Sequence, residues 1–208
     1  ALKVLGDFTE ARSLRERALA IAEQNYGPSH PEVGRYLNDL ANTDVLQGDY
    51  AAARVLYERA MSLIEHAQER DDLVLATRVY NLGNVLVRLG DFPGARRQFE
   101  RAIAIWQREL GGGHEHVARG LAALGEVLIK QRRYVEAEGF LRRAIRIQEA
   151  RFGANHPDVA YNLATLATIL DRQGSTSQAM EMWARALKIW EASNARDTPI
   201  HAYVLNLH

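Results

Sequence analysis

Alanine recurs in this chain with a fixed period. Ala11, Ala53, Ala95, Ala137 and Ala179 are spaced 42 residues apart, and so, seven residues further on, are Ala18, Ala60, Ala102, Ala144 and Ala186. Three residues before the first set stand Phe8, Tyr50, Phe92 and Tyr134, then Thr176, where the aromatic is lost. The first three follow a Gly-Asp pair, the fourth follows Arg132-Arg133 and the fifth follows Gly174-Ser175. Self-similarity at a period of roughly 20–50 residues marks a chain built by stacking one small unit many times, each burying its apolar face on the next.

Within a unit the apolar residues fall at helical spacing. Leu37, Leu40, Ala41; Val79, Leu82, Gly83, Leu86; Leu121, Leu124, Gly125, Leu128; and Leu163, Leu166, Ala167, Leu170 each mark one face of a first helix. The small residue in each set lets a neighbouring helix come close. A Gly-Asp or Gly-Ser pair then stops that helix and caps a second one, in which aromatics alternate with alanine, as in Tyr50, Ala53, Tyr57, Ala60. Between units the linkers read Gly27-Pro-Ser-His-Pro-Glu, Gly111-Gly-Gly-His-Glu-His and Gly153-Ala-Asn-His-Pro-Asp. Glycine ends the second helix, and proline followed by an acidic residue suits the start of the next first helix. The junction at Arg70-Asp71-Asp72 lacks the glycine and histidine and is expected to differ.

Composition excludes several classes. Lys+Arg and Asp+Glu both number 26, so the chain has no net basic field of the kind nucleic acid selects. With no cysteine, neither a disulfide framework nor a thiolate metal site or nucleophile is available. No apolar run is long enough to span a bilayer, and no signal-peptide pattern is visible, so a cytoplasmic protein that touches neither membrane nor nucleic acid is expected.

The Gly-Asp-Tyr/Phe turn, the paired alanines and the Gly-x-x-His-Pro-Asp-Val linker resemble the tetratricopeptide repeat, in the 42-residue form of kinesin light chains and many bacterial sensor and scaffold proteins. The resemblance covers essentially the whole chain. It implies an all-α, right-handed α-α superhelical solenoid of helical hairpins. The expected organisation is one array over 1–208: a half repeat at 1–30, repeats at about 31–72, 73–114, 115–156 and 157–198, and a partial repeat at 199–208. Departures are Asp44 where a large apolar residue is usual, Arg132-Arg133 for Gly-Asp, and Thr176 for the aromatic. Solenoids end in polar capping repeats; none is visible here, so a fragment of a longer array or larger protein is expected, with self-association through the truncated apolar ends at Phe8, Leu14, Ile21 and at Tyr203, Leu205, Leu207.

Helical geometry selects a candidate binding face. Opposite the buried stripe of the first helices lie Arg35, Asp39, Asn42, Leu46; Thr77, Asn81, Asn84, Arg88; Arg119, Ala123, Glu126, Lys130; and Tyr161, Thr165, Thr168, Arg172. Asn38 with Val45, Tyr80 with Val87, Ala122 with Ile129 and Ala164 with Asp171 flank them. In the family that this sequence resembles, first helices line the concave groove and groove asparagines hold peptide main chain. An amide offers both donor and acceptor, so Asn38, Asn42, Asn81 and Asn84 suit a peptide backbone of any sequence. Arg35, Arg88, Arg119, Lys130 and Arg172 make the stripe mildly basic and favour an acidic partner, and Tyr80 and Tyr161 are each an aromatic anchor or superhelix packing. Some family members clamp a terminal carboxylate. Asn42, Asn81 and Arg119 fall on that clamp, but Asn38 and Ala123 occupy its other basic positions, so the full clamp is absent.

The expected function is therefore a protein-interaction scaffold that binds an extended or short helical peptide in its groove. The alternative is a regulatory or oligomerisation array packing against another domain of a larger signalling or effector protein. Neither catalytic residues nor a metal or cofactor are expected. His30, His114 and His156 share one register position and read as linker caps rather than metal ligands. Gly111-Gly112-Gly113 lacks the Gly-Lys-Ser/Thr of a phosphate loop. Arg96, Arg97, Arg101 and Arg142, Arg143, Arg146 lie among glutamates and read as solvated surface.

Overall fold

The computed structural model describes residues 2–67 and 71–193, of which 2–9 as backbone alone. Among the described residues there are nine helices and no strand: α1 (Leu2–Tyr26), α2 (Val33–Gln47), α3 (Tyr50–Glu65), α4 (Asp72–Arg88), α5 (Phe92–Leu110), α6 (Glu115–Lys130), α7 (Tyr134–Phe152), α8 (Pro157–Arg172) and α9 (Thr176–Ala192). The side chain of Phe8 and residues 199–208, with Tyr203, Leu205 and Leu207, lie outside the described residues.

The turns within hairpins follow from backbone sterics. Gly48, Gly90 and Gly174 end their helices at φ of 82°, 80° and 81°, the left-handed region that a Cβ disfavours. Asp49 then accepts the backbone N–H of Ala52, and Asp91 that of Gly94, capping α3 and α5. Arg132, at φ 60°, holds the same turn without glycine, and Arg133 caps α7 with no side-chain bond.

One expected turn is not formed. Gly6-Asp7 lies inside α1, which runs unbroken from Leu2 to Tyr26. A mid-helix glycine costs about 1 kcal/mol relative to alanine. The helical bonds on both sides offset that cost unless a packed second helix rewards a reversal, as it does at 48 and 90.

The linkers behave as the histidine pattern predicts. The Nδ1 of His30, His114 and His156 accepts the backbone N–H of Glu32, His116 and Asp158, each at 3.2 Å. His30 also stacks on Tyr26, and His156 on Phe152, the last residues of the preceding helices. The junction after α3 differs: that helix ends at Glu65, earlier in the register than α5 or α7, and Asp71 caps α4 by accepting the Val74 N–H at 2.9 Å.

The chain divides into two compact units, 1–105 and 106–208. In the first, α1 packs on α2, α2 on α3 and α3 on α4. Ala22, Val33, Leu37 and Ala60 form a buried cluster there. Gly83 lets α4 close on the Phe99 ring, 2.6 Å from where a Cβ would stand. Asp44, at an otherwise apolar register position, is fully buried and takes the Arg12 guanidinium of α1 at 2.8 Å, while Arg15 donates to Thr43 and to the carbonyl of Asp39. In the second unit α6 packs on α7, α7 on α8 and α8 on α9. Its main cluster runs from Leu163, Leu166 and Leu170 to Trp183 and Trp190. Gly125 approaches Leu141 where a Cβ would stand at 2.9 Å.

Candidate functional site

The first helices α6 and α8 of consecutive hairpins touch in the second unit. Between them lies an open cleft of about 260 Å³, lined by Glu126, Ile129 and Lys130 of α6 and by Tyr161, Thr165 and Thr168 of α8. All six belong to the outward stripe or its flank as helical geometry places them. They face outward for the reason that Leu121, Leu124, Leu128 and Leu163, Leu166, Leu170 are buried: the apolar residues claim one side and the helical period sends the others opposite. The Tyr161 hydroxyl donates to Glu126 Oε1 at 2.8 Å, bridging the two helices. Thr165 and Thr168 donate back to the carbonyls of Tyr161 and Ala164, each at 3.0 Å, so their oxygens remain acceptors.

Lys130 lines this cleft, while Arg119 and Arg172 are exposed near the opposite ends of α6 and α8. Lys130 is an expected binding residue and Tyr161 an expected anchor or packing residue, whereas Glu126, Thr165 and Thr168, outside the expected amides and cations, are additions that the structure makes. The period alone carried the signal that would have found them, since Thr165 and Thr168 stand at the register of Asn81 and Asn84.

In the first unit, the matching positions on α2 and α4 are Asn42, Val45, Leu46, Thr77, Asn81 and Asn84. Asn84 and Leu46 are exposed, Asn38 and Asn81 half-buried. Asn42 is half-buried with its carbonyl oxygen accepting the hydroxyl of Tyr57 on α3, so one end of that amide is engaged inside the hairpin. Burial pushes the Tyr57 hydroxyl up to about 12, with the nearby Asp39 carboxylate adding to the shift. Tyr80 is half-buried with its ring tilted on Phe99 at 5.4 Å. Arg35 lies over the Tyr36 ring at 5.0 Å and Arg88 over Tyr50 at 5.9 Å; both remain exposed.

Among the described residues, three of the six arginines in the basic clusters on second helices are ion-paired. Arg96 pairs with Glu100, Arg101 with Glu65 and Arg142 with Glu138. His116 stands apart from the other histidines: it is half-buried, 5.3 Å from the Trp106 ring, with Nδ1 unpartnered. Burial, and then the charges of Arg119 and His114, hold its pKa below the usual imidazole value. Among the described residues no group of three histidine, aspartate or glutamate side chains is placed to hold a metal ion, and no helix is long and apolar enough to cross a membrane.

The tetratricopeptide repeat profile matches residues 1–66, 74–150 and 120–192. The chain belongs to the tetratricopeptide repeat family. Solved structures of tetratricopeptide and similar repeats superimpose on it. BtubC (BKLC) from P. vanneervenii matches at a TM-score of 0.77 and 19% identity, over 89% of this chain and 74% of that one. A putative kinesin light chain of Podosopora anserina with nearly identical TPR-like repeats matches at 0.76 and 19%, over 93% and 90%. The apo form of RapI matches at 0.76 and 15%, over 91% and 73%. At those identities the likeness shows the fold, an all-α helical-repeat solenoid. Comparison with curated proteins gives no significant match. As a tetratricopeptide repeat protein the chain is a protein–protein interaction scaffold.

Proposed function

We propose that the scaffold works by holding an extended or short helical peptide against its first helices. The cleft between α6 and α8 carries this reading: it is concave, has an apolar wall at Ile129, and presents a donor at Lys130 and acceptors at Thr165, Thr168 and Glu126. Those groups match the alternating N–H and C=O groups of a peptide backbone. The same register in the first unit supplies the amides of Asn42, Asn81 and Asn84. Arg35, Arg88, Arg119, Lys130 and Arg172 are all exposed and favour an acidic partner.

The test is peptide selection from a random display library on the full chain, followed by calorimetry on a selected peptide. Tyr161→Ala with Thr165→Val, or Asn81→Ala with Asn84→Ala, should weaken binding about tenfold or more, each lost hydrogen bond being worth ~0.5–1.5 kcal/mol. Unchanged affinity in both double variants refutes the groove. One observation favours self-association as a second reading: Leu14 and Ile21, seven residues apart on α1, are 55% and 56% exposed. Light scattering over a concentration series separates the two, because dimers lost in Leu14→Glu with Ile21→Glu would point to assembly.

A further inference from the structure

Arg78 of α4 is buried to 6% exposure, yet among the described residues it makes no ion pair and its Nη1 has no hydrogen-bond partner. A buried guanidinium without an acceptor is costly, and folded chains rarely leave one. The surroundings were shaped to admit it. Its Nη1 lies where a Cβ on Gly34 would come within 3.2 Å, and the other first helices carry alanine at that register, Ala76, Ala118 and Ala160. The residue two periods after Arg78 is Asn162, which is also buried but donates to Gln148 at 2.7 Å. The counterpart of Gln148 in the first unit is Ile64, which has nothing to accept with.

Arg78 and Ile64 both line a cavity of about 310 Å³ with Pro31, Glu32, Arg35, Ala67, Asp71 and Val74. Pro31, Ile64, Ala67 and Val74 give it an apolar side, its most buried polar group is the unmatched guanidinium, and Arg35 stands at its exposed edge. The lining carboxylates are otherwise placed. Asp71 caps α4 through the Val74 N–H, and Glu32 sits 3.9 Å from Arg35. Burial draws the Arg78 pKa below its ordinary value, with Asp39, Asp71 and Glu32 opposing that shift without removing it.

We propose that this cavity is a subsite for a single peptide carboxylate on an apolar stem, held by Arg78 with Arg35 at the rim. Its size suits one residue of a peptide. One guanidinium matches one negative charge, and a monoanion meets less repulsion from the rim carboxylates of Glu32 and Asp71 than a phosphate dianion does. The subsite lies beside the α3–α4 junction; its rim shares Arg35 with the outward stripe, but Arg78 lies off that stripe, and binding at it does not depend on the groove asparagines. The carboxylate comes from a chain terminus or from an internal acidic side chain, and the two are told apart by the probe.

The experiment titrates the full chain with five compounds: acetyl-Leu-Leu with a free C-terminus, its C-terminal amide, acetyl-Glu and acetyl-Gln N-methylamides, and inorganic phosphate. The backbone amide signals of Ala67 and Val74 are followed by NMR. The expected result is a saturable shift with one carboxylate probe and none with its amide partner. The responding acid identifies a terminal or an internal source, and a response to both acids also supports the subsite. Arg78→Lys should bind about tenfold or more weakly, because charge-assisted bonds to a guanidinium are directional. Arg78→Met should abolish binding with an unchanged or higher melting temperature, which excludes unfolding as the cause. Asn81→Ala with Asn84→Ala should leave the response intact, so failure of the groove and failure of this subsite are distinguishable. Silence from both acids, equal response to their amides, or a stronger response to inorganic phosphate would each overturn the proposal.

Discussion

Arg78 in the first unit and Asn162 in the second stand at one point of the repeat, and each is nearly sealed from water. In the second unit the buried group is a neutral amide facing another neutral amide, Gln148, at 2.7 Å. The pair satisfies itself between α7 and α8, and desolvating it is cheap because no charge is involved. In the first unit the buried group is a cation facing an isoleucine. In the same unit Asp44 is also buried, but it draws its counter-charge from Arg12 on α1. The contrast teaches that the repeat's apolar register is permissive. Polarity enters wherever a partner can be supplied by the next helix, by a helix outside the hairpin, or from solution.

The largest effect should come from the charged side of that contrast. Arg12→Ala strands the fully buried Asp44 and should cost about 2–4 kcal/mol by urea denaturation, somewhat less than a wholly buried pair because Arg12 is partly exposed. Replacing Asp44 by Leu as well, as at Leu86, Leu128 and Leu170, should restore most of it. No recovery in that double variant would mean that Arg12 acts through packing rather than charge. Next comes the amide pair: Gln148→Leu leaves Asn162 unmatched at about 1–3 kcal/mol, and adding Asn162→Leu should return much of the loss. Arg78→Met, at the same register, should cost nothing; a loss as large as that of Gln148→Leu would erase the distinction between the units.

The turns sharpen the comparison further. Arg132→Gly with Arg133→Asp installs the pair found at 48 and 90 and should stabilise by about 1–2 kcal/mol, read as a higher melting temperature. The smallest effect concerns pH. The His116 pKa is depressed in the folded chain, so the unfolded chain binds more protons below about 6.5. His116 therefore contributes no penalty above that pH, and stability falls as pH drops from about 6.5 toward its lower folded pKa. His116→Gln should flatten the urea midpoint between about pH 7 and pH 5.5 relative to the parent; an unchanged slope would place the imidazole in water.

What was legible in the residues is whatever the period repeats. The alanines recur every 42 residues, and the aromatics, the glycines that reverse the chain and the histidines that cap the linkers recur in the same register with one gap each, at 176, 132 and 72; local sterics or local hydrogen bonds govern each of them. The six lining positions of the α6–α8 cleft were legible for the same reason. What escaped was whatever occurs once. Asp44 read as an anomaly because its partner Arg12 lies 32 residues away at an unrelated register. Arg78 falls between the buried and outward stripes and is visible only against Gly34 and Ile64. Gly6-Asp7 carries the motif of a turn, but the motif is local and the reversal needs a helix to pack against.

The hydrogen bond from Tyr161 to Glu126 bears on discrimination among partners. It ties α8 to α6 across the cleft, so one donor and one acceptor of the site are already spent on each other. Under the proposed peptide mode, a chain that slides in without touching the tether gains only wall contacts, whereas one that breaks it and seals it from water must give the phenol an acceptor and the carboxylate a donor together. Entry of that kind would be filtered by a paired exchange, and sequences that offer half of it would be disfavoured by the half left unmet.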